Sequence, residues 1–221
     1  MVPDERAHLH RAYQISDGRI FSENKDGNTG GYLPSTLKNG STELLEGAWN
    51  GGEDTSIEYR KWLTTPLNAG DRTFVDFPET AVYSPISYIP QTIGIVLVKF
   101  FNPPMLVVLY AARIINLLVF IALIFLAIKL MPVGRWILVV VALLPMTIQQ
   151  MSSASQDTVT IGIIFIALAY CLRLALQTQR LSKQQLLTVA AIGIILGLTK
   201  QINALALLPF LFLPTKLFGS I

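Results

Sequence analysis

Residues 3–14, PDERAHLHRAYQ, place two carboxylates, two histidines and two arginines within a dozen positions. Carboxylate and imidazole are side chains of proton transfer, and guanidinium grips phosphate oxygens in pairs. On a helix, His8 and Arg11 share a face with Asp4, at spacings of four and seven. The pattern predicts a short helix over residues 4–16. The same carboxylates have a plainer reading, because Pro3 at a first helical position with Asp4 and Glu5 in the first turn is a helix-start signal favoured by the macrodipole. Glu5 and His8, three apart, could share a divalent cation, but two ligands do not make a metal site, and no metal or cofactor is expected.

Four more polar side chains stand where the sequence is otherwise apolar: Arg113, Asn116, Asp157 and Lys200. Arg113 is about eight residues inside a hydrophobic run, roughly 12 Å below its boundary at 1.5 Å per residue. A charge there costs at least ~2.5 kcal/mol in lipid, so it requires protein or water and a partner. Asn116 follows one turn later on the same face. Asp157 and Lys200 lie at the ends of apolar runs on the same expected side. Arg113 with Asp157 as a structural ion pair, and Lys200 snorkelling to the interface, are the bland alternatives to a binding site.

The elements that must position these residues follow from composition. Of 221 residues, 52% are hydrophobic and 14% charged, too apolar for an ordinary soluble domain. Residues 1–84 carry thirteen acids and eight Lys/Arg, net −5, whereas the remainder carries one acid and nine Lys/Arg, net +8. The basic balance therefore marks no nucleic-acid surface. The single cysteine, Cys171, excludes a disulfide framework or a cysteine metal site.

The expected fold is mainly α: a polytopic transmembrane helix bundle preceded by an irregular extracytoplasmic loop region with short helices. Residues 1–84 form that region, with turns expected at KDGNTGG, KNGS, WNGGED and LNAGD. GNTGGYLP has the glycines of a phosphate loop without its G-K-[ST] ending, so a surface turn is expected there. Residues 85–104 are expected as an interfacial amphipathic segment, too short and too broken at Pro90 to span, with Tyr83, Tyr88 and Lys99 as interface anchors. Residues 105–221 hold the bundle, with segments at about 105–128, 136–151, 158–176, 186–199 and 202–214.

Lys129 and Arg135, and likewise Arg173, Arg180 and Lys183, place their loops in the cytoplasm by the positive-inside rule. SSASQD then faces outward, and so do residues 1–84 if 86–101 lies in the interface; were 86–101 to span, they would be cytoplasmic. A polar segment of this size outside the membrane implies a hydrophobic helix upstream, so the chain is expected to be a fragment or to begin at an internal start.

The ordered series PDERAHLHRAYQISDGRI, GGYLP, FVDFPETAVYSPISYIPQTIGI, AARIINLL, LLPMTIQQMSSASQDTVT and GLTKQ resembles bacterial polytopic membrane proteins grouped as domain of unknown function 2142, over nearly the whole chain. That family looks like a branch of the GT-C glycosyltransferase superfamily. The resemblance implies a GT-C-like enzyme of the bacterial cell membrane, moving a sugar from a polyprenyl-phosphate donor to a cell-envelope acceptor. It also implies a catalytic carboxylate at the start of the first outer loop, where Asp4 and then Glu5 stand. His8, Arg11, Arg113, Asn116, Asp157 and Lys200 would bind substrate or its phosphate. The lipid bilayer, the lipid-linked sugar and the acceptor would be its partners, with no nucleic acid. A chain stopping at Ile221 would lack helices that enclose substrate and could be inactive alone. A noncatalytic membrane scaffold and a transporter or flippase fragment are the competing classes.

Overall fold

The structure is a computed structural model that describes residues 4–46 and 55–218. Helix α1 (Glu5–Ser16) forms where the sequence predicts it and is the hub of the polar half. Leu9, Ala12 and Tyr13 are fully buried, and so are the polar Glu5, His10 and Gln14. A helix with polar groups buried on several faces needs partners from every neighbouring element, and those partners build the site described below.

Strands β1 (Glu23–Lys25) and β2 (Asn28–Pro34) form a hairpin closed by Asp26 and Gly27, both at positive φ, as a two-residue turn matching strand twist requires. Strand β3 (Arg72–Asp76) pairs antiparallel with the other edge of β2, giving the order β1-β2-β3. The surface turn expected for GNTGGYLP is thus corrected: residues 28–34 are the central strand. Its glycines serve close approach, since a Cβ on Gly30 would collide with the Val75 carbonyl and one on Gly31 with Gln14. The KNGS turn is corrected too. It lies in α2 (Ser35–Ser41), where Gly40 packs beneath the Trp62 ring. WNGGED lies outside the described residues.

A π-helical turn (Thr42–Glu46) follows α2, and α3 (Thr55–Thr64) and the short α4 (Pro78–Ala81) complete the polar half. A 3-10 turn (Pro85–Tyr88) runs into α5 (Ile89–Lys99), which at ~16 Å is too short to cross a bilayer. Helix α5 packs on α6 (Met105–Leu130) so closely at Gly94 that a Cβ there would strike the Ala111 carbonyl. Two of the expected anchors point elsewhere: Tyr88 is fully buried, and Lys99 pairs with Asp17 at the end of α1. One face of the first turns of α6 (Met105, Val108, Leu109, Ala112) is part of the polar half's core, together with Leu9, Tyr13 and Leu37.

Helices α6 and α9 (Asp157–Ala175) are long and apolar enough to cross a membrane. The span expected over 136–151 is two helices, α7 (Arg135–Ala142) and α8 (Pro145–Met151). Pro145 has no N–H to donate and its ring disfavours helical backbone at the residue before it, so α7 stops at Ala142 and Leu144 is extended; the Thr147 hydroxyl donates to the Val141 carbonyl at 2.9 Å. Helix α10 (Lys183–Thr199) starts from a capping box between Ser182 and Gln185. The last expected segment is a 3-10 helix (Gln201–Phe212) containing Pro209, followed by a short turn at Thr215–Leu217.

The chain shuttles between two ends. Arg113, the Ser153–Asp157 loop and Lys200 meet the polar half at one end, while Met131, Leu174, Leu213 and Leu217 share a core at the other.

Candidate functional site

The site has an inner lock and an outer face. In the lock, Glu5 is fully buried and accepts two hydrogen bonds from Arg113, Nε to Oε1 at 2.7 Å and Nη2 to Oε2 at 2.6 Å. The backbone N–H of Ala154 adds a third at 2.7 Å. Bidentate, charge-assisted pairing satisfies a guanidinium that lipid would not tolerate. One helical turn along α6, Asn116 donates to the carbonyls of Ser153 (2.7 Å) and Ser155 (3.0 Å), and Gln91 of α5 donates to Ser155 as well. A loop of small residues is thereby fastened by its backbone to α1, α5 and α6.

On the outer face stands Asp4, whose side chain is 64% exposed, with His8 Nε2 3.5 Å from its Oδ2. The other imidazole nitrogen, Nδ1, is 2.8 Å from the Tyr88 hydroxyl. Burial pushes the Tyr88 phenol well above its ordinary value, so it stays protonated. With the Tyr88 O–H donated to Nδ1, His8 turns Nε2–H toward Asp4. The hydrogen bond to His8 holds the Asp4 carboxyl below the ordinary value against the opposing effect of burial, and the field of Lys200 adds to it. Asp4 is an ionised, oriented, solvent-reachable carboxylate.

Lys200 is the residue at which α10 ends. Its Nζ is 3.8 Å from Asp157 Oδ1 and 4.9 Å from the centre of the Tyr83 ring, and Tyr83 stacks in turn on His8 with centroids 6.5 Å apart. Asp157 sits in the first turn of α9, where the macrodipole favours a carboxylate, and accepts a 2.7 Å bond from Gln150. Beside these groups opens a cavity of about 420 Å³ bounded by Val82, Tyr83, Ser84, Thr199, Lys200 and Gln201. A cation, hydroxyls and an aromatic wall suit an anionic ligand with an apolar portion.

The structure thus brings Asp4, His8, Asp157 and Lys200 to one face and sets Glu5, Arg113 and Asn116 directly behind it. The Arg113–Asp157 pairing weighed from sequence does not form: Arg113 takes Glu5 and Asp157 takes Lys200. Arg11 stands apart, buried among neutral acceptors: Gln14, Ser22 and the carbonyls of Ile20 (2.8 Å) and Tyr83 (3.5 Å). It fixes the Tyr83 backbone. The second histidine, His10, bonds Ser41 far from this face, and burial pushes its pKa down to about 3, so it remains neutral. Among the described residues no group of three or more His, Cys, Asp or Glu could hold a metal. Sequence reasoning missed Tyr83, Tyr88 and Gln150 as members of the site; two tyrosines flanking a Pro-Ile-Ser turn look like membrane anchors until that turn is folded against α1.

Compared with known protein families, the chain matches one described as "Predicted membrane protein (DUF2142)" over residues 1–220. No curated protein matches, and no solved structure matches.

Proposed function

This chain belongs to the DUF2142 family of predicted membrane proteins, and on that premise we propose that it is part of a GT-C-like glycosyltransferase of the bacterial cell membrane, using a polyprenyl-phosphate sugar. Asp4 is the base. It takes the proton of an acceptor hydroxyl as the oxygen bonds to the anomeric carbon, while the bond from that carbon to the phosphate oxygen breaks and its electron pair leaves with the phosphate. Lys200, steered by Asp157 and Gln150, offsets the charge growing on that phosphate. His8 orients Asp4, and Glu5, Arg113 and Asn116 position the loop that carries Asp157. Six exposed cations, Lys129, Arg135, Arg173, Arg180, Lys183 and Lys216, gather toward the opposite end, which favours a multi-pass topology with the polar half outside the cytoplasm.

The observation carrying this reading is geometric: a largely exposed Asp4 carboxylate 3.5 Å from His8, whose other ring nitrogen is 2.8 Å from the Tyr88 hydroxyl, on the same face as Lys200 and an open cavity. The test is release or transfer of sugar from a polyprenyl-phosphate donor by the full chain in lipid nanodiscs. Asp4→Asn is expected to lower turnover by about 10²–10⁴-fold, the usual contribution of a general base, without shifting the unfolding midpoint. Turnover equal to that of the unaltered protein would end the assignment. A scaffold is the second reading, favoured by the complete internal use of Glu5 and Arg113. It expects no turnover from the unaltered chain.

A further inference from the structure

Five polar side chains sealed inside the helix packing carry oxygens with no hydrogen-bond partner among the described residues: Ser87 Oγ, Gln91 Oε1, Asn116 Oδ1, Gln156 Oε1 and Thr160 Oγ1. Buried polar atoms in folded proteins are paired, so five in one neighbourhood call for a shared partner. That neighbourhood is the Ser153–Asp157 loop. Gln91 of α5 and Asn116 of α6 both donate to the Ser155 carbonyl, and Gln156 is the next residue. Ser87 stands one turn before Gln91, and Thr160 one turn after Gln156 on the same face of α9. The 3-10 turn that holds Ser87 packs against α9. Two of the oxygens have a fixed direction. Asn116 and Gln91 commit their amide nitrogens to loop carbonyls, so each turns its oxygen away from that backbone. The Gln156 amide has neither atom engaged, which leaves it free to present its oxygen as well.

We propose that these oxygens form a binding site for a monovalent alkali cation, seated between α5, α6 and the start of α9. Hard cations take oxygen ligands, and amide carbonyls with hydroxyls are an uncharged set of that kind. The absence of a free carboxylate from the set favours a single positive charge over two. Glu5 is spent on Arg113 and the Ala154 N–H, and Asp157 on Gln150 and Lys200. Asp157 also offsets the positive end of the α9 dipole, which would otherwise repel an ion beside Gln156. With the ion in place, α5 and the turn below Tyr83 are tied to α9 through one centre. The loop carrying Asp157, and with it the outer face, is held by side chains on both flanks. Such a site steadies a transferase and a scaffold alike, and its test reads stability rather than turnover, so it does not stand or fall with the assignment of Asp4.

The test follows thermal unfolding of the full chain in detergent, in sodium chloride, potassium chloride and choline chloride at equal concentrations. The midpoint is expected to stand several degrees higher in at least one alkali salt than in choline, and the rise should saturate with concentration as mass action at one site requires. Thr160→Val and Ser87→Ala each remove an oxygen that holds no hydrogen bond within the protein. In choline chloride both variants should unfold at or above the midpoint of the unaltered chain, and both should lose most of the alkali response. Equal midpoints of the unaltered chain in all three salts would overturn the proposal. An alkali response that both variants retain would also overturn it, because the ion would then act elsewhere. So would an equal loss of stability by the variants in every salt, which would mean that bound water alone fills the site.

Discussion

Glu5 accepts three hydrogen bonds and is sealed from solvent, and one of its donors, Arg113, lies 108 residues away. Removing one member of a buried pair strands the other charge, so Glu5→Gln is expected to destabilise the protein by about 3–5 kcal/mol, measured as a denaturant midpoint in detergent. The double replacement Glu5→Gln with Arg113→Met should recover part of that loss, because no unpaired guanidinium remains. If the single variant unfolds with the unaltered midpoint, the pair does not lock the domain. From the sequence, the depth of Arg113 required a partner, and that much was legible. Its identity was not, because helical register reports which residues share a face and says nothing of which distant carboxylate the fold delivers. Asp4 and Glu5 show the same limit. Adjacent in sequence, they point into opposite environments, one exposed beside His8 and one buried against Arg113.

At the scale of elements, apolar run length located α6 and α9, and the helix-start signal located α1. What the sequence obscured were elements whose residues have two uses. Glycine serves turns and close contacts alike, so the strand 28–34 read as a turn. Proline's interruption of 136–151 was visible as a residue and not as a break, because helices in membranes tolerate proline where neighbours satisfy the freed groups. The close crossing of α5 and α6 turns on Gly94, where an added Cβ would meet backbone rather than a movable side chain. Gly94→Ala is therefore expected to cost about 1–3 kcal/mol through overpacking and to speed amide exchange in α5, read by hydrogen–deuterium exchange. Unchanged exchange would mean that the helices are not in such close contact.

At the scale of the molecule, the apolar segments leave the polar half through α6 and come back to it at Ser153–Ser155, where Glu5, Asn116 and Gln91 hold the loop. Cysteines placed at Asn24 and Ser152 should accordingly react with a membrane-impermeant maleimide from the same side of intact cells, and one at Gln179 only after permeabilisation. Equal labelling of all three without permeabilisation would refute the topology. The bond from Ala154 N–H to Glu5 has a further consequence in time. The carboxylate is made 149 residues before its donor, and separations of that order delay contact formation. While a ribosome is still translating α6, α7 and α8, the amino-terminal portion holds an anion with no amide to meet it. Glu5 gains its third hydrogen bond only after the chain through residue 154 has been made.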